Sequence, residues 1–415
     1  MRNPTFLWII VGIMLVLEIY VFQAVKMVLP ASSPRFRLTI IVIYWLFAAL
    51  MLGTLMALPY LNYESWPKHV RTYVFAILVG AFFSMLITSL FLAVDDIRRG
   101  ATWIIVRIFR NPEEGGITAE EGISRSAFFS WLGLGFGGGL FGTLIYGFSN
   151  KYNYTIRRQH LQFHNLPSSF KGLKIVHISD IHSGSFMDKQ AVQKGIDKIL
   201  KEKPDLILFT GDLVNDRSTE MIEYMDVFRR LKAPMGVYSI LGNHDYGDYA
   251  KWLSREDKVA NLERLKAIHG ELGWKLLMNE NVIFEKNNEK IALIGIENWS
   301  AKGNFPKYGR MSEAYSGSEK IPFKILMSHD PSHWDAEVRI KYTDVDLMLS
   351  GHTHGMQFGV ELPGFKWSPV QYMYKQWAGL YEEGKQKLYI NRGFGFIGYP
   401  GRVGILPEIT VITLT

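Results

Sequence analysis

Five short clusters of residues able to bind metal recur through the second half of this 415-residue chain. They are Asp180-Ile181-His182, Gly211-Asp212, Gly242-Asn243-His244-Asp245, Ser328-His329-Asp330 and Gly351-His352-Thr353-His354. Carboxylate oxygen, imidazole nitrogen and a neutral amide suit borderline divalent ions such as Mn, Fe, Zn or Ni. The chain has no cysteine, which excludes disulfides and thiolate ligation and argues against a purely structural zinc site. Asp180, Asp212 and Asn243 are spaced at similar intervals, each long enough for one helix, one strand and their loops. Successive strands are therefore expected to bring these ligands together. Asp180 and His182 flank one residue, as do His352 and His354. In an extended segment residues i and i+2 face the same way, so each pair is expected to reach a single ion. Glycines at 211, 242, 351 and 355 permit tight turns and close backbone approach.

The elements that must position these residues are legible around them. Lys174–Ser179, Asp205–Thr210, Gly236–Leu241, Lys324–Met327 and Asp346–Leu349 read as strands ending at the clusters. Asp188–Lys203, Thr219–Leu231 and Lys258–Leu272 read as helices, and residues 282–285 and 291–296 as a hairpin across Asn287-Asn288. Alternating strands and helices predict an α/β fold, a sheet covered by helices on both faces. Ligands in such sheets gather beyond the carboxyl ends of the strands. His69, His160, His164 and His269 read as packed or solvated, and His177 as a core residue of its strand.

Taken as a set, the blocks DxH, GD, GNHD, H and GHTH resemble the calcineurin-like metallophosphoesterase family over residues 170–415. All five family blocks stand in order and every ligand position is kept. The resemblance implies a four-layer sandwich of two mixed sheets flanked by helices. It implies two divalent metal ions, one held by Asp180, His182 and His354, the other by Asn243, His329 and His352, with Asp212 bridging. It implies hydrolysis of a phosphodiester or phosphomonoester by hydroxide formed from water between the ions, whose pKa falls towards about 7. His244 is expected to face the substrate phosphate, to stabilise its developing charge and to protonate the leaving oxygen. Asp245 is expected to orient His244 through a hydrogen bond. His333, close to the fourth block, is a candidate substrate contact, as are Arg392 and Arg402 among their glycines.

Before residue 150 the composition changes. Hydrophobic residues are 48% of the chain and aromatics 14%, and the excess is concentrated there. A bilayer core of about 30 Å needs about 20 apolar residues as a helix, and residues 6–29, 38–61, 72–94 and 127–149 each supply them. The expected organisation is a membrane domain of four transmembrane helices over 1–150 and a catalytic domain over 151–415. The first span is long and has no small-residue cleavage site, so it reads as an anchor rather than a signal peptide. Residues 95–126 form a polar connection in which Ala101–Phe109 is expected to lie in the interface plane. In the fourth span Gly135 with Gly139, and Gly138 with Gly142, are placed for close helix packing. Glu18 is expected to face other helices with Gln23 and Lys26.

Net charge is +7, with Lys and Arg spread rather than clustered. That favours lipid headgroups over nucleic acid as partners, since no nucleic-acid-binding motif is present. An even number of spans puts the N-terminus and the catalytic domain on one side. Positive charge is nearly balanced between the two sides. Ser124–Phe129 resembles a twin-arginine export signal that has lost one arginine, which points to a catalytic domain outside the cytoplasm of a bacterial inner membrane. Residues 364–381 are rich in Trp and Tyr, as at membrane interfaces or acyl-chain sites, which suggests a lipid-linked phosphate substrate. Two alternatives stand beside this one. The first is an enzyme like those that cleave the pyrophosphate of UDP-2,3-diacylglucosamine, and the second is a membrane sensor whose phosphoesterase domain controls the helices.

Overall fold

The chain divides after Tyr146 into two units, Met1–Tyr146 and Gly147–Thr415, seen in a computed structural model that describes residues 4–29, 33–62, 65–109, 125–303 and 305–415. The first unit is made of α1 (Pro4–Val28), α2 (Pro34–Ala57), α3 (Lys68–Phe109) and α4 (Arg125–Gly147). All four are long and apolar enough to cross a membrane. Helix α3 corrects one expectation, because Ala101–Phe109 continues it without a break over 42 residues. At 1.5 Å per residue it is about 60 Å long, roughly twice the depth of a bilayer core. Ion pairs at helical spacing, Asp95 to Arg98 at 2.7 Å and Asp96 to Arg99 at 3.7 Å, support it where the apolar stretch ends. Arg110, Glu113, Glu114, Glu120, Glu121 and Ser124 lie outside the described residues.

The glycines of α4 do pack against a helix, but not the pairs expected. A side chain at Gly135, Gly138, Gly139 or Gly142 would meet nothing within 4 Å. Gly133 and Gly137 face α3 instead, and a Cβ on Gly133 would lie 3.0 Å from the carbonyl of Thr88. Ser84 and Thr88 use that closeness to donate hydrogen bonds to the carbonyls of Gly137, at 2.5 Å, and Gly133, at 3.0 Å. The four-residue spacing is as expected, displaced along the helix. Glu18 is buried inside the unit.

The second unit holds two six-stranded sheets. One runs β1 (Thr155–Leu161), β14 (Glu408–Leu414), β2 (Lys174–Ile178), β3 (Leu206–Phe209), β4 (Val237–Ser239) and β5 (Lys275–Leu276). The other runs β12 (Gly379–Glu383), β13 (Gln386–Ile390), β9 (Leu347–Ser350), β8 (Phe323–Met327), β7 (Glu289–Gly295) and β6 (Glu280–Lys286). A small hairpin, β10 (Val360–Leu362) with β11 (Phe365–Trp367), stands apart from both. Strands β2 to β5 are mutually parallel, as are β7, β8, β9 and β13.

Side-chain alternation sorts these strands into layers. Ile175, Leu206 and Leu208 meet Ile325, Met327 and Leu349 in the core between the sheets. Val176, Ile207 and Phe209 face the other way, onto Val192, Ile196 and Ile199 of α5 (Lys189–Lys201) and Leu265 and Ile268 of α7 (Arg255–Glu271). Leu326 and Met348 cover the far side with Trp334 and Val338. This is the four-layer sandwich of the calcineurin-like fold, two mixed sheets flanked by helices. The turn at Asn287 (φ 52°) and Asn288 (φ 60°) is left-handed at both central residues, as a two-residue hairpin requires. Residues 219–231 are not one helix. They form a 3-10 segment, Ser218–Tyr224, and one turn, α6 (Met225–Phe228). The carboxylate of Glu220 accepts the backbone N–H groups of Asn215 and Arg217, which ties this segment tightly to the loop after β3.

Candidate metal centre

Strands β2, β3 and β4 end at Ile178, Phe209 and Ser239, and β8 and β9 at Met327 and Ser350. Because the strands of each set are parallel, their carboxyl ends share one edge, and each cluster follows directly in the loop beyond. Two groups of donors converge there. Asp180, His182 and His354 bring ligand atoms within 4.8 Å of one another, and Asp212, His329 and His352 do the same.

The pairs do not converge by strand alternation, as the sequence suggested. Asp180 (φ 51°), His182 (48°), Asp212 (61°), His352 (71°) and His354 (50°) all have left-handed backbones. Such conformations are rare outside glycine and cost of order 1 kcal/mol each. Loop-to-loop hydrogen bonds hold them. Asp180 N–H donates to Gly211 O at 2.9 Å, His182 N–H to Asp212 O at 3.1 Å, and Gly351 N–H to His329 O at 2.9 Å. Two glycines let these loops approach. Gly211 has φ 95°, and a Cβ there would strike the backbone of Gly242. A Cβ on Gly351 would overlap the side chains of Ser179 and Asp180.

The donors are aimed at the gaps between them. Asp212 Oδ2 lies 3.2 Å from His329 Nε2 and 3.6 Å from His182 Nε2, so one carboxylate reaches into both groups. His182 Nε2 and His354 Nε2 face each other at 3.1 Å, and His354 Nε2 lies 3.2 Å from Asp180 Oδ1. His329 Nδ1 donates to the carbonyl of Thr210 at 2.7 Å, which turns the buried Nε2 towards Asp212 Oδ2. Buried nitrogens and carboxylates packed nose to nose in this way fit divalent cations between them.

Burial holds His182, His352 and His354 below the usual imidazole range, in the neutral form that ligates metal. Burial also opposes charge on His329, but Asp212 and Asp180 outweigh it and push that group up to about 10. Burial works against ionisation of Asp180 and Asp212 too, yet His354 beside the first and His329 beside the second keep both carboxyls below their ordinary range.

Asn243 joins the second group, with its side-chain oxygen 2.8 Å from His352 Nδ1 and its amide donating to Tyr249 OH at 2.9 Å. His244 is half-buried at the rim, its ring 5.0 Å from that of His182 and 4.6 Å from that of Tyr249. Its backbone N–H donates to Asp212 Oδ1 at 2.9 Å, and its Nδ1 donates to the carbonyl of Asn215 at 2.7 Å. That carbonyl orients His244, and Asp245 does not. The carboxylate of Asp245 is fully buried and accepts the backbone N–H groups of Asp212, Leu213, Val214 and Gly242. It pins the Asp212 loop to the Asn243 loop.

Three other expected contacts fall away from the cleft. His333 is buried, bonded to Ser328 Oγ at 3.0 Å and Glu337 at 3.2 Å, with its ring against Trp299. Arg392 is buried between Glu408, at 2.5 Å, and Glu361, at 2.7 Å. Glu361 lies on β10 and Glu408 on β14, so the guanidinium is already matched by two acids. Arg402, wholly buried, donates to the carbonyls of His354, Arg392 and Gly395 and fastens the fifth block to that loop.

One residue went unread. Tyr374 OH donates to Asp330 Oδ2 at 3.1 Å and lies 3.0 Å from His352 Nε2. A hydroxyl has one proton, so with that proton given to Asp330 the oxygen accepts from His352 Nε2–H. His352 Nδ1 is then bare and faces Asn243. The sole signal was Tyr374's place in the aromatic segment, which read as a lipid-facing surface.

Known proteins resemble both parts of the chain. A family model described as calcineurin-like phosphoesterase matches residues 173–356, and one described as probable calcineurin-like phosphoesterase, transmembrane domain, matches residues 1–151. The chain is 32% identical over 255 residues to the uncharacterized metallophosphoesterase YkuE of Bacillus subtilis, covering 60% of this chain and 81% of that one. It is 30% identical over 243 residues to phosphodiesterase YaeI of Escherichia coli, covering 58% and 82%. It is 28% identical over 256 residues to the zebrafish (Danio rerio) transmembrane protein with metallophosphoesterase domain, covering 60% of this chain but only 54% of that longer protein. The chain belongs to the calcineurin-like metallophosphoesterases, metal-dependent hydrolases of phosphoric esters, and joins that domain to four membrane helices.

Proposed function

We propose that this chain is a membrane-anchored phosphodiesterase or phosphatase that works with two divalent ions. Asp180, His182 and His354 would hold one ion, Asn243, His329 and His352 the other, and Asp212 would bridge them. The observation that carries this reading is the position of the Asp212 carboxylate between the two imidazole groups. Bound ions of this kind supply activated water near neutral pH and offset charge on a phosphoryl group. The chain's own residues do the rest. His244, anchored at Nδ1 by Asn215, presents Nε2 to the cleft, where it hydrogen-bonds a phosphoryl oxygen and donates a proton to the leaving oxygen. Asp245 keeps the two ligand loops in register. Tyr374 and Asp330 fix the tautomer of His352.

A lipid-linked ester is the proposed substrate class. Met356 (53% exposed), Leu362 (61%), Phe365 (56%), Tyr372 (79%) and Met373 (61%) are large apolar side chains left open within one stretch. That stretch begins two residues after His354 and ends one residue before Tyr374, which contacts His352, so it would border the donors as an apolar lip. Such a lip suits the hydrocarbon part of a substrate whose phosphate enters the cleft.

The direct test is hydrolysis by the purified full-length chain with Mn, Zn, Mg or Fe, against bis-p-nitrophenyl phosphate, the mono-ester and a phospholipid panel. The expected result is activity that disappears on chelation, returns with metal, and tracks two ions per chain. Full activity in metal-stripped protein would overturn the reading. Tyr374→Phe tests the tautomer argument. Losing the hydroxyl is expected to weaken binding of one ion by about 10- to 100-fold, the usual effect of removing a group that orients a ligand histidine. Metal titration followed by activity reads this, and unchanged affinity would show that Tyr374 only packs.

A further inference from the structure

The membrane unit contains a cavity of about 480 Å³ to which all four helices contribute. That is within the ordinary range for small-molecule sites. Its charged lining sits where the apolar stretches stop. Lys26 is in the last turn of α1 and Arg37 in the first turn of α2. Asp96 and Arg99 follow directly after the charge-free stretch of α3 that ends at Val94, and Ser130 is near the start of α4. In a bilayer this level is the headgroup zone, not the hydrocarbon core.

The charges do not cancel within the described residues. Asp95, almost fully buried, takes Arg98 at 2.7 Å. Asp96 takes Arg99 at 3.7 Å and accepts Tyr20 OH at 2.7 Å. Lys26 lies over the Phe22 ring, 5.4 Å from its centroid, and neither Lys26 nor Arg37 pairs with a carboxylate among the described residues. Two cations from different helices thus flank a cavity that also carries Gln23 and Tyr20 as neutral polar groups. A compact tetrahedral anion placed there would draw on these two cations and on the amide N–H of Gln23, while the one proton of Tyr20 is already given to Asp96.

We propose that this cavity binds a phosphate group, carried on a lipid headgroup or free in solution. The site is separate from the metal centre and does not depend on the function proposed above. Full-length protein in detergent is titrated with phosphatidylglycerol and, separately, with inorganic phosphate, alongside the double variant Lys26→Gln/Arg37→Gln. Hydrolysis of bis-p-nitrophenyl phosphate and thermal unfolding check that the variant is intact. Phosphate also meets the metal centre, but equally in both proteins, so the difference between them reports on the cavity. Removing two cations near the headgroup level is expected to weaken binding by about 10-fold or more. Loss for phosphatidylglycerol alone assigns a headgroup, and loss for both probes assigns the phosphate group whatever carries it. Loss for inorganic phosphate alone assigns the free ion. Equal binding of both probes by the variant and the unaltered protein overturns the proposal, as does recovery of no binding in the charge-keeping variant Lys26→Arg/Arg37→Lys.

Discussion

Asp212→Asn lowers phosphoester turnover by about 1,000-fold, and the purified variant carries fewer than two ions per chain. The size follows from what one carboxylate does. Its Oδ2 points at His329 and His182, and its Oδ1 accepts the backbone N–H of His244 at 2.9 Å. An amide of the same shape offers one acceptor and one donor. Turned one way its NH2 faces the N–H of His244, a donor against a donor, and turned the other way the NH2 stands at the Oδ2 place, where it cannot ligate an ion. The negative charge that keeps the second group together is also removed, at a buried site where a charge counts for far more than in water. Loss of a single preorganised electrostatic contact typically costs 10²–10³ in turnover, and here both halves of the centre lose one. The backbone bonds of residue 212, Asp245 accepting its N–H and His182 donating to its carbonyl, do not involve the side chain, so the fold should hold. Elemental analysis, turnover on bis-p-nitrophenyl phosphate and thermal unfolding on one preparation measure this. Near-normal turnover with a full metal complement would rule out the bridging role proposed for Asp212.

What the sequence made legible here was composition at the ends of strands. Short, mostly apolar runs such as Ile175–Ile178 and Phe323–Met327 mark parallel strands buried on both faces, and the polar residues that follow each run mark its end. The strand ends, and the donors beyond them, are therefore visible in the chain. The conformation of those donors was not. Alternation suggested extended Asp180-Ile181-His182 and His352-Thr353-His354, whereas all four outer residues are left-handed. What decides this is the bonding of one loop to another, as with Asp180 N–H on Gly211 O, and no local propensity encodes it. The same limit explains Arg392. Among glycines it looked available to a phosphate, but Glu408 and Glu361 from other strands occupy it. Tyr374 was hidden for the opposite reason, since its neighbours Tyr372 and Met373 are exposed and the segment reads as a surface. In the membrane unit, composition located the helices, but which glycines of α4 meet Ser84 and Thr88 depends on the rotation of one helix against another.

His244→Ala should separate chemistry from metal binding. His244 belongs to neither donor group, and its ring stands at the rim beside His182 and Tyr249. Replacing it leaves the backbone N–H that bonds Asp212 in place, so metal content should stay at the unaltered level. Turnover should fall by about 10²–10³, the range for loss of one group that stabilises charge at the phosphoryl oxygens or moves a proton in the transition state. The substrate supplies a finer distinction. With a good leaving group such as p-nitrophenolate, proton donation matters little, so the loss there measures charge stabilisation alone. With an alkyl ester the leaving oxygen needs the proton, and the loss should be larger. If His244 only packs against Tyr249, both substrates should lose equally, and His244→Phe, which keeps the ring, should restore activity. A larger loss for the alkyl ester, with no rescue by Phe and metal content unchanged, is the pattern that assigns His244 Nε2 to proton transfer.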